Sequence, residues 1–319
     1  MCLCPSPEAS NAGVNHDTRN ILHRWDTSAG QFGAPAAGPS LNDGYTPDKS
    51  DMREGDRFAA LEELFDAGTI QVLNERGVAG GWHCLEVGGG RGSTAAWLSE
   101  RVGSTGRVVA TDINTRFLDR LQRPNVEVRG HNIVADPLPE DEFDLVHVRL
   151  VLMHLPERDA VLGRLIKALK PGGWVIDEEF DSLSLRANPD VNPREAVLGT
   201  SFAMYRVMAE RGAELRFGRL LYERLRSLGL DEVGANARLS MGSGGSAAAS
   251  FQRFNYCRFR DAMIAGDRIR PEDFERDLQR LDDPDCLTLT PTLWSVWGRR
   301  PKTTRFVLSS AAFANGAGI

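Results

Sequence analysis

The stretch His83-Cys84-Leu85-Glu86-Val87-Gly88-Gly89-Gly90-Arg91-Gly92-Ser93-Thr94 decides the fold of this chain. An apolar run of strand character meets a cluster of glycines, and a helical pattern, Ser93 to Val102, opens directly behind it. Glycine alone lets backbone approach a ligand with no side chain in the way. The first turn of a helix adds N–H groups that have no partner within the helix. Strand, glycine turn and helix N-terminus in that order predict a ligand seat at the carboxyl edge of a parallel sheet.

Working outward, the next strand, VVATDI, brings Asp112 to its end, twenty residues after Gly92. A carboxylate there can accept hydrogen bonds from both hydroxyls of a ribose, so an adenosine-bearing ligand fits. The glycine spacing narrows the choice. A dinucleotide fingerprint, G-x-G-x-x-G, needs glycine at the position of Ser93, whereas Gly92 completes G-x-G-x-G instead. Glu86 would repel a pyrophosphate but suits a ligand carrying an ammonium and a sulfonium. NAD and FAD are therefore disfavoured.

Apolar runs and helical stretches keep alternating as far as WVIDEEF (174–180), through RFLDRLQ, VEVRG, FDLVHVRLVL and RDAVLGRLIKALK. This predicts parallel strands joined by right-handed crossovers, an α/β doubly wound sheet spanning roughly 78–181. Pro171, Gly172 and Gly173 are expected to stop the helix ending at Lys170. Before the sheet, Phe58, Leu61, Leu64 and Phe65 recur at helical spacing within a helical segment over 51–76, which completes the 51–181 core. Residues 1–50, rich in Gly, Pro, Ser, Asn and Asp, read as a flexible leader. Beyond the core, two helices are expected over 194–229 and a strand near 232–241. A hinge at Gly242-Ser243-Gly244-Gly245-Ser246 leads to a helical segment from 247 to about 281. Residues 182–290 thus form a helical cap with the sixth strand, and 291–319 the closing strand and tail.

Composition sets the outer limits. With 41% hydrophobic and 26% charged residues, the 319-residue chain is globular, and a net charge of −6 leaves no footprint for a nucleic acid. No run of apolar residues is long enough to span a membrane. The five cysteines show no zinc-ligand spacing, so no metal site is expected. Scattered cysteines and the absence of a secretory signal point to the cytoplasm.

Around these motifs the chain resembles class I S-adenosylmethionine-dependent methyltransferases, whose first motif, E/D-x-G-x-G-x-G, is matched by Glu86, Gly88, Gly90 and Gly92. ATDIN resembles the ribose-binding strand end, HNIVADPLPEDEFDLVHVRLVLMHL the adenine loop and fourth strand, and LKPGGWVIDEEF the junction into the fifth strand. The resemblance covers about residues 55–181. WSVWGRRP is similar to the closing strand of small-molecule members from natural-product pathways, and the core resembles ubiquinone-biosynthesis C-methyltransferases. It implies a Rossmann-like, mostly parallel seven-stranded sheet with an N-terminal helical segment and a helical cap. It also implies S-adenosyl-L-methionine as cofactor, held by Glu86, Gly88, Gly90, Gly92, Asp112, Ile113, Asn132, Ile133 and Arg149. Asn132 departs from the aspartate common at the adenine loop, but its amide oxygen can accept the same bond, and Ile133 would be the apolar neighbour of adenine. N-terminal segments in this family often fold over the cofactor as a lid.

Methyl transfer needs proximity, alignment and desolvation, with a base only where the acceptor must lose a proton. His154, in the loop that the resemblance places at the mouth of the substrate pocket, is one candidate base, and packing before Pro156 is its other reading. Arg149 suits an anionic substrate group, the cofactor carboxylate or a neighbouring acid. Of the acids at 177–181, Glu179 is the second catalytic candidate and Asp181 a substrate contact. His147, inside the fourth strand, reads as a satisfied core histidine. Tyr205, Arg253 and Tyr256 are the substrate candidates of the cap. Its aromatic segments read equally as a lid over a lipophilic substrate or as a surface packed on itself or on a second copy, in a homodimer or higher homo-oligomer.

These readings describe a methyltransferase moving a methyl group to O, N or C of a small, aromatic or lipophilic metabolite in secondary metabolism. The alternatives are a methyltransferase-like enzyme using the bound cofactor for a non-transfer reaction such as cyclisation, an NAD-dependent oxidoreductase, and a cofactor-binding protein without turnover.

Overall fold

A computed structural model describes residues 47–183, 190, 192–195 and 198–303, and the expected leader lid lies outside the described residues. Helix α1 (Pro47–Glu75) leads into β1 (His83–Val87). The chain then alternates through α2 (Ser93–Val102), β2 (Arg107–Asp112), β3 (Val126–Gly130), β4 (Phe143–Arg149), α3 (Arg158–Ala168) and β5 (Leu169–Asp181). Next come α4 (Gly199–Glu210), α5 (Phe217–Ser227), β6 (Asp231–Arg238), β7 (Met241–Ser243), α6 (Ala247–Ala265), α7 (Pro271–Arg280), β8 (Leu287–Leu289) and β9 (Thr292–Arg299).

The main sheet has seven strands in the order β3-β2-β1-β4-β5-β9-β6. The first five are parallel, and β9 runs antiparallel between β5 and β6, which is the expected mostly parallel, doubly wound architecture. Strand order reverses between β1 and β4, so a crevice opens outside their carboxyl ends. Alternation along the strands sends Cys84, Val108, Leu145 and Ile176 to a core under α1 and α2. Leu85, Val109, Val146 and Val175 face the other core, with α3 and α5. The cap docks through an edge-to-face aromatic trio: Phe65 of α1, Phe180 of β5 and Phe251 of α6, with centroids 5.6, 6.3 and 5.9 Å apart.

Four local expectations are corrected. RFLDRLQ forms only a single 3₁₀ turn at Leu118–Arg120. The stretch is too short to repay helix nucleation, and Pro124 follows closely. Helix α3 stops at Ala168, and Lys170 to Gly173 form an irregularity inside β5, since Leu169 pairs with Phe143 before the register shifts to Leu145 with Trp174. A Cβ on Gly173 would stand 2.9 Å from the carbonyl oxygen of Phe143. The Gly-Ser run is a turn rather than a hinge, because β7 pairs with β8 and Ser246 Oγ caps α6 by accepting from Ala249 N–H at 3.3 Å. The single helical segment after it breaks at Gly266 and restarts at Pro271, in the first turn of α7.

Candidate functional site

The glycine run turns the chain sharply at the end of β1. Gly88, Gly90 and Gly92 adopt φ of 68°, 55° and 88°, a region that side chains disfavour. The N–H groups of Gly88 and Gly89 donate to Thr111 O at 2.8 and 3.0 Å, tying the turn to the end of β2. A Cβ at Gly88 would lie 2.3 Å from Val151 Cγ2, so only glycine fits between the turn and the loop after β4.

Asp112 closes the other side. Its Oδ2 accepts from Gly90 N–H at 3.2 Å and its Oδ1 from Asn114 N–H at 3.0 Å, leaving lone pairs on both oxygens for further donors. Burial raises its pKa, against the pull of these backbone bonds. Next to it, Ile113 is 62% exposed, an apolar face at the lip of the crevice. Left-handed glycines, a carboxylate with free lone pairs and an exposed aliphatic side chain fit an adenosine moiety. Asn132 is exposed, with Oδ1 accepting from Val134 N–H at 3.0 Å, so its amide oxygen serves the loop first. Ile133, expected beside adenine, is instead packed in the core, because its loop turns it under Arg164, which donates to the Ile133 carbonyl.

Beneath the turn lies a chain of buried charges. Glu86 Oε2 meets His147 Nδ1 at 2.6 Å, and His147 Nε2 meets Glu178 Oε2 at 3.3 Å. Burial alone would depress the imidazole, but Glu86 and Glu178 raise its pKa to about 9, so it is cationic and donates to both carboxylates. Glu178 is satisfied further by Thr69, Ser295 and Arg238, the last at 2.8 Å. Of the readings open for Arg149, the pairing with a neighbouring acid is the one seen: its Nη1 donates to Asp66 Oδ1 at 2.9 Å and Thr69 Oγ1 at 3.1 Å, because α1 lays both groups over the end of β4.

The loop after β4 carries His154 and is held from below. Leu150 adopts a left-handed φ of 57°, costly for a branched side chain. Glu179 Oε1 accepts the N–H groups of Val151, Leu152 and Met153 at 3.0, 2.6 and 3.3 Å, capping the 3₁₀ turn Leu152–His154. Glu179 is fully buried, and burial raises its pKa to about 8. Expected as a catalytic or substrate-contact residue, it is instead buried as the cap of this loop. His154 is exposed, and desolvation by the surrounding protein, with Arg258, Arg57 and Arg158 nearby, lowers its pKa to about 4. It is a neutral imidazole at physiological pH and can accept a proton.

The substrate candidates are drawn inward by partners distant in sequence. Asp181 is buried and ion-paired with Arg219 of α5 at 2.6 Å. Arg253 ties α6 to the end of α7 through Leu278 O at 2.7 Å and Asp282 Oδ1 at 2.6 Å. Tyr256 is fully buried, its hydroxyl bonded to Ser201. These three hold the cap together rather than face a substrate. Tyr205 is half-buried and bonds Ser182, with burial pushing its pKa up to about 12.

The sequence reading missed what α1 contributes. Phe58 stands 3.0 Å from where a Gly90 Cβ would be and packs edge-on to Phe117 at 5.6 Å. On the same helix, Glu62 approaches Arg91 at 3.9 Å, and Asp66 and Thr69 hold Arg149. The signal was the four-residue spacing of Glu62 and Asp66, charged groups one turn apart on a helix whose neighbouring stripe is buried.

Comparison with known proteins follows this geometry. Residues 85–177 match the methyltransferase domain family. Ubiquinone/menaquinone biosynthesis C-methyltransferase UbiE of Pseudomonas putida is 32% identical over 140 residues, covering 41% of this chain and 54% of that protein. The protein of the same name from Pseudoalteromonas translucida is 33% identical over 118 residues, covering 34% and 47%. The chain thus spans about half the length of the curated relatives it matches. Among solved structures, the YcgJ protein of Bacillus subtilis aligns at 13% identity with a TM-score of 0.49, over 73% of this chain and 97% of that one. The resemblance of the core to methyltransferases is borne out by the family match.

Proposed function

We propose that this protein transfers a methyl group from S-adenosyl-L-methionine to a small aromatic or lipophilic acceptor. One observation carries the reading: at the point where strand order reverses, the left-handed turn Gly88–Gly92 abuts the Asp112 carboxylate and the exposed Ile113. Asp112 would take the ribose hydroxyls, Ile113 the purine face and Glu86 the ammonium. The cofactor, when bound, would supply a methyl group activated by its sulfonium.

The remaining work falls to the chain's own groups. Glu179 fixes the loop that presents His154, and Phe58 covers the glycine turn from α1. With a pKa near 4, His154 is available as a base at neutral pH but is a weak one. That matches an acceptor whose proton becomes strongly acidic as the bond to the methyl forms, such as the oxygen of a phenol or the ring carbon of a quinol. The relatives, C-methyltransferases of ubiquinone and menaquinone biosynthesis, support carbon as the acceptor atom. A cytoplasmic location, a place in secondary metabolism and a homodimer or higher homo-oligomer belong to the same proposal. No described helix is long and apolar enough to cross a membrane. The test is to incubate the chain with the cofactor and a panel of quinols and phenols, and to measure S-adenosylhomocysteine against methylated product by mass spectrometry. Equal amounts are expected; product without the by-product would leave a non-transfer reaction in its place.

A further inference from the structure

The chain of charges under the glycine turn does more than hold the sheet together. Glu86 and His147 are register partners on β1 and β4, and Glu178 lies on β5 beyond them. All three are 3% exposed or less. Charge alternates along the row: Glu86, the His147 imidazolium, Glu178, then Arg238. Taking such groups out of water costs several kcal/mol per ion, and apolar residues of similar volume often give equal or better stability. Stability alone therefore does not account for the row.

Its two ends are treated differently. Glu178 is saturated, with donors from Thr69, Ser295, Arg238 and His147. The Glu86 side chain receives one hydrogen bond among the described residues, from His147 to Oε2. Its Cγ lies 3.6 Å from where a Gly89 Cβ would stand, so the carboxylate sits directly beneath the cofactor turn. We propose that His147 is a positioning residue: clamped between Glu86 and Glu178, it turns the Glu86 carboxylate so that its second oxygen is held for the ammonium of the cofactor's amino-acid end. This rests on the methyltransferase reading and deepens it by giving the buried histidine a part in cofactor selection.

Titration calorimetry on the full chain separates this role from simple packing. The probes are S-adenosylmethionine, S-adenosylhomocysteine and 5′-methylthioadenosine, which keeps the nucleoside but lacks the amino-acid end. His147→Phe keeps a ring and removes both hydrogen bonds. It is expected to weaken the first two ligands about tenfold and leave methylthioadenosine within about twofold. His147→Gln, which retains a polar end, should recover part of the loss. Equal weakening of all three ligands, or no weakening of any, overturns the proposal. If circular dichroism shows that His147→Phe does not fold, Glu86→Gln must give the same split, and wild-type affinities for that variant overturn it equally. Wild-type protein that binds none of the three ligands would instead overturn the methyltransferase reading, and this inference with it.

Discussion

Asp112 and His154 stand for the two halves of the proposed site, one to hold the cofactor and one to accept a proton. Removing the Asp112 carboxylate deletes the acceptor for two ribose hydroxyls, so Asp112→Ala should weaken S-adenosylmethionine binding by about 2–4 kcal/mol, while a thermal melt stays near wild type. Unchanged affinity in calorimetry would remove Asp112 from the site. For His154→Ala the expectation runs the other way, with cofactor affinity kept and turnover reduced about a hundredfold. Because the base must be unprotonated and its pKa is about 4, activity should rise from acid through that value and stay level to neutrality. A limb near 6.5 would show an imidazole unperturbed by its surroundings. Both residues could be singled out in the sequence because their cue is local, a strand-end acid and a histidine one loop beyond a strand. Arg253, Asp181 and Tyr256 were misread because their partners, Asp282, Arg219 and Ser201, are set by packing between helices that no local pattern reveals.

Strand β5 carries the heaviest electrostatic load. Asp177 is fully buried with neither side-chain oxygen hydrogen-bonded among the described residues, and burial, then the charges of Glu179 and Glu178, push its pKa well up. In the unfolded chain Asp177 and Glu179 ionise near their ordinary values of 3.8 and 4.5, whereas in the fold both keep their protons to higher pH, Glu179 to about 8. The unfolded state then binds fewer protons, so this stability is fully present below about pH 4 and is lost as pH rises, the share of Glu179 through about 8. His147 adds a loss of the same sign between its ordinary 6.5 and about 9. The melting temperature should therefore fall from pH 6 to 9, and Asp177→Asn combined with Glu179→Gln should flatten the part below 8. An unchanged slope in scanning fluorimetry would show that these acids are ionised in the fold. Four acids in five residues were visible in the sequence, but which of them faced a cation, a row of N–H groups or nothing depended on neighbouring strands. The irregularity at Lys170 to Gly173 was hidden for the same reason: glycine and proline mark a break, and only pairing with β4 shows that the break lies within a strand.

At the scale of the molecule, a sheet legible from its alternating pattern is joined to a cap whose docking was not, because the contacts that seat it lie between residues far apart in sequence. Phe65, Phe180 and Phe251 come from α1, β5 and α6, and each ring packs edge-on against the other two. Phe251 is 3% exposed and packs on Phe180, the penultimate residue of β5. Truncating it to alanine removes a buried ring at the joint between cap and core, at a cost of about 3–5 kcal/mol, mostly in seating α6. The glycine turn proposed to seat the cofactor draws on β1, β2 and α1 and keeps its contacts. Phe251→Ala should therefore lower the melting temperature and raise KM for a lipophilic acceptor several-fold, while S-adenosylmethionine affinity stays within about twofold. Phe251→Leu, which refills most of the volume, should restore both melting temperature and KM in large part. Parallel loss of acceptor and cofactor binding would mean that the aromatic joint supports the whole crevice, and that cap and cofactor seat respond as one cooperative unit.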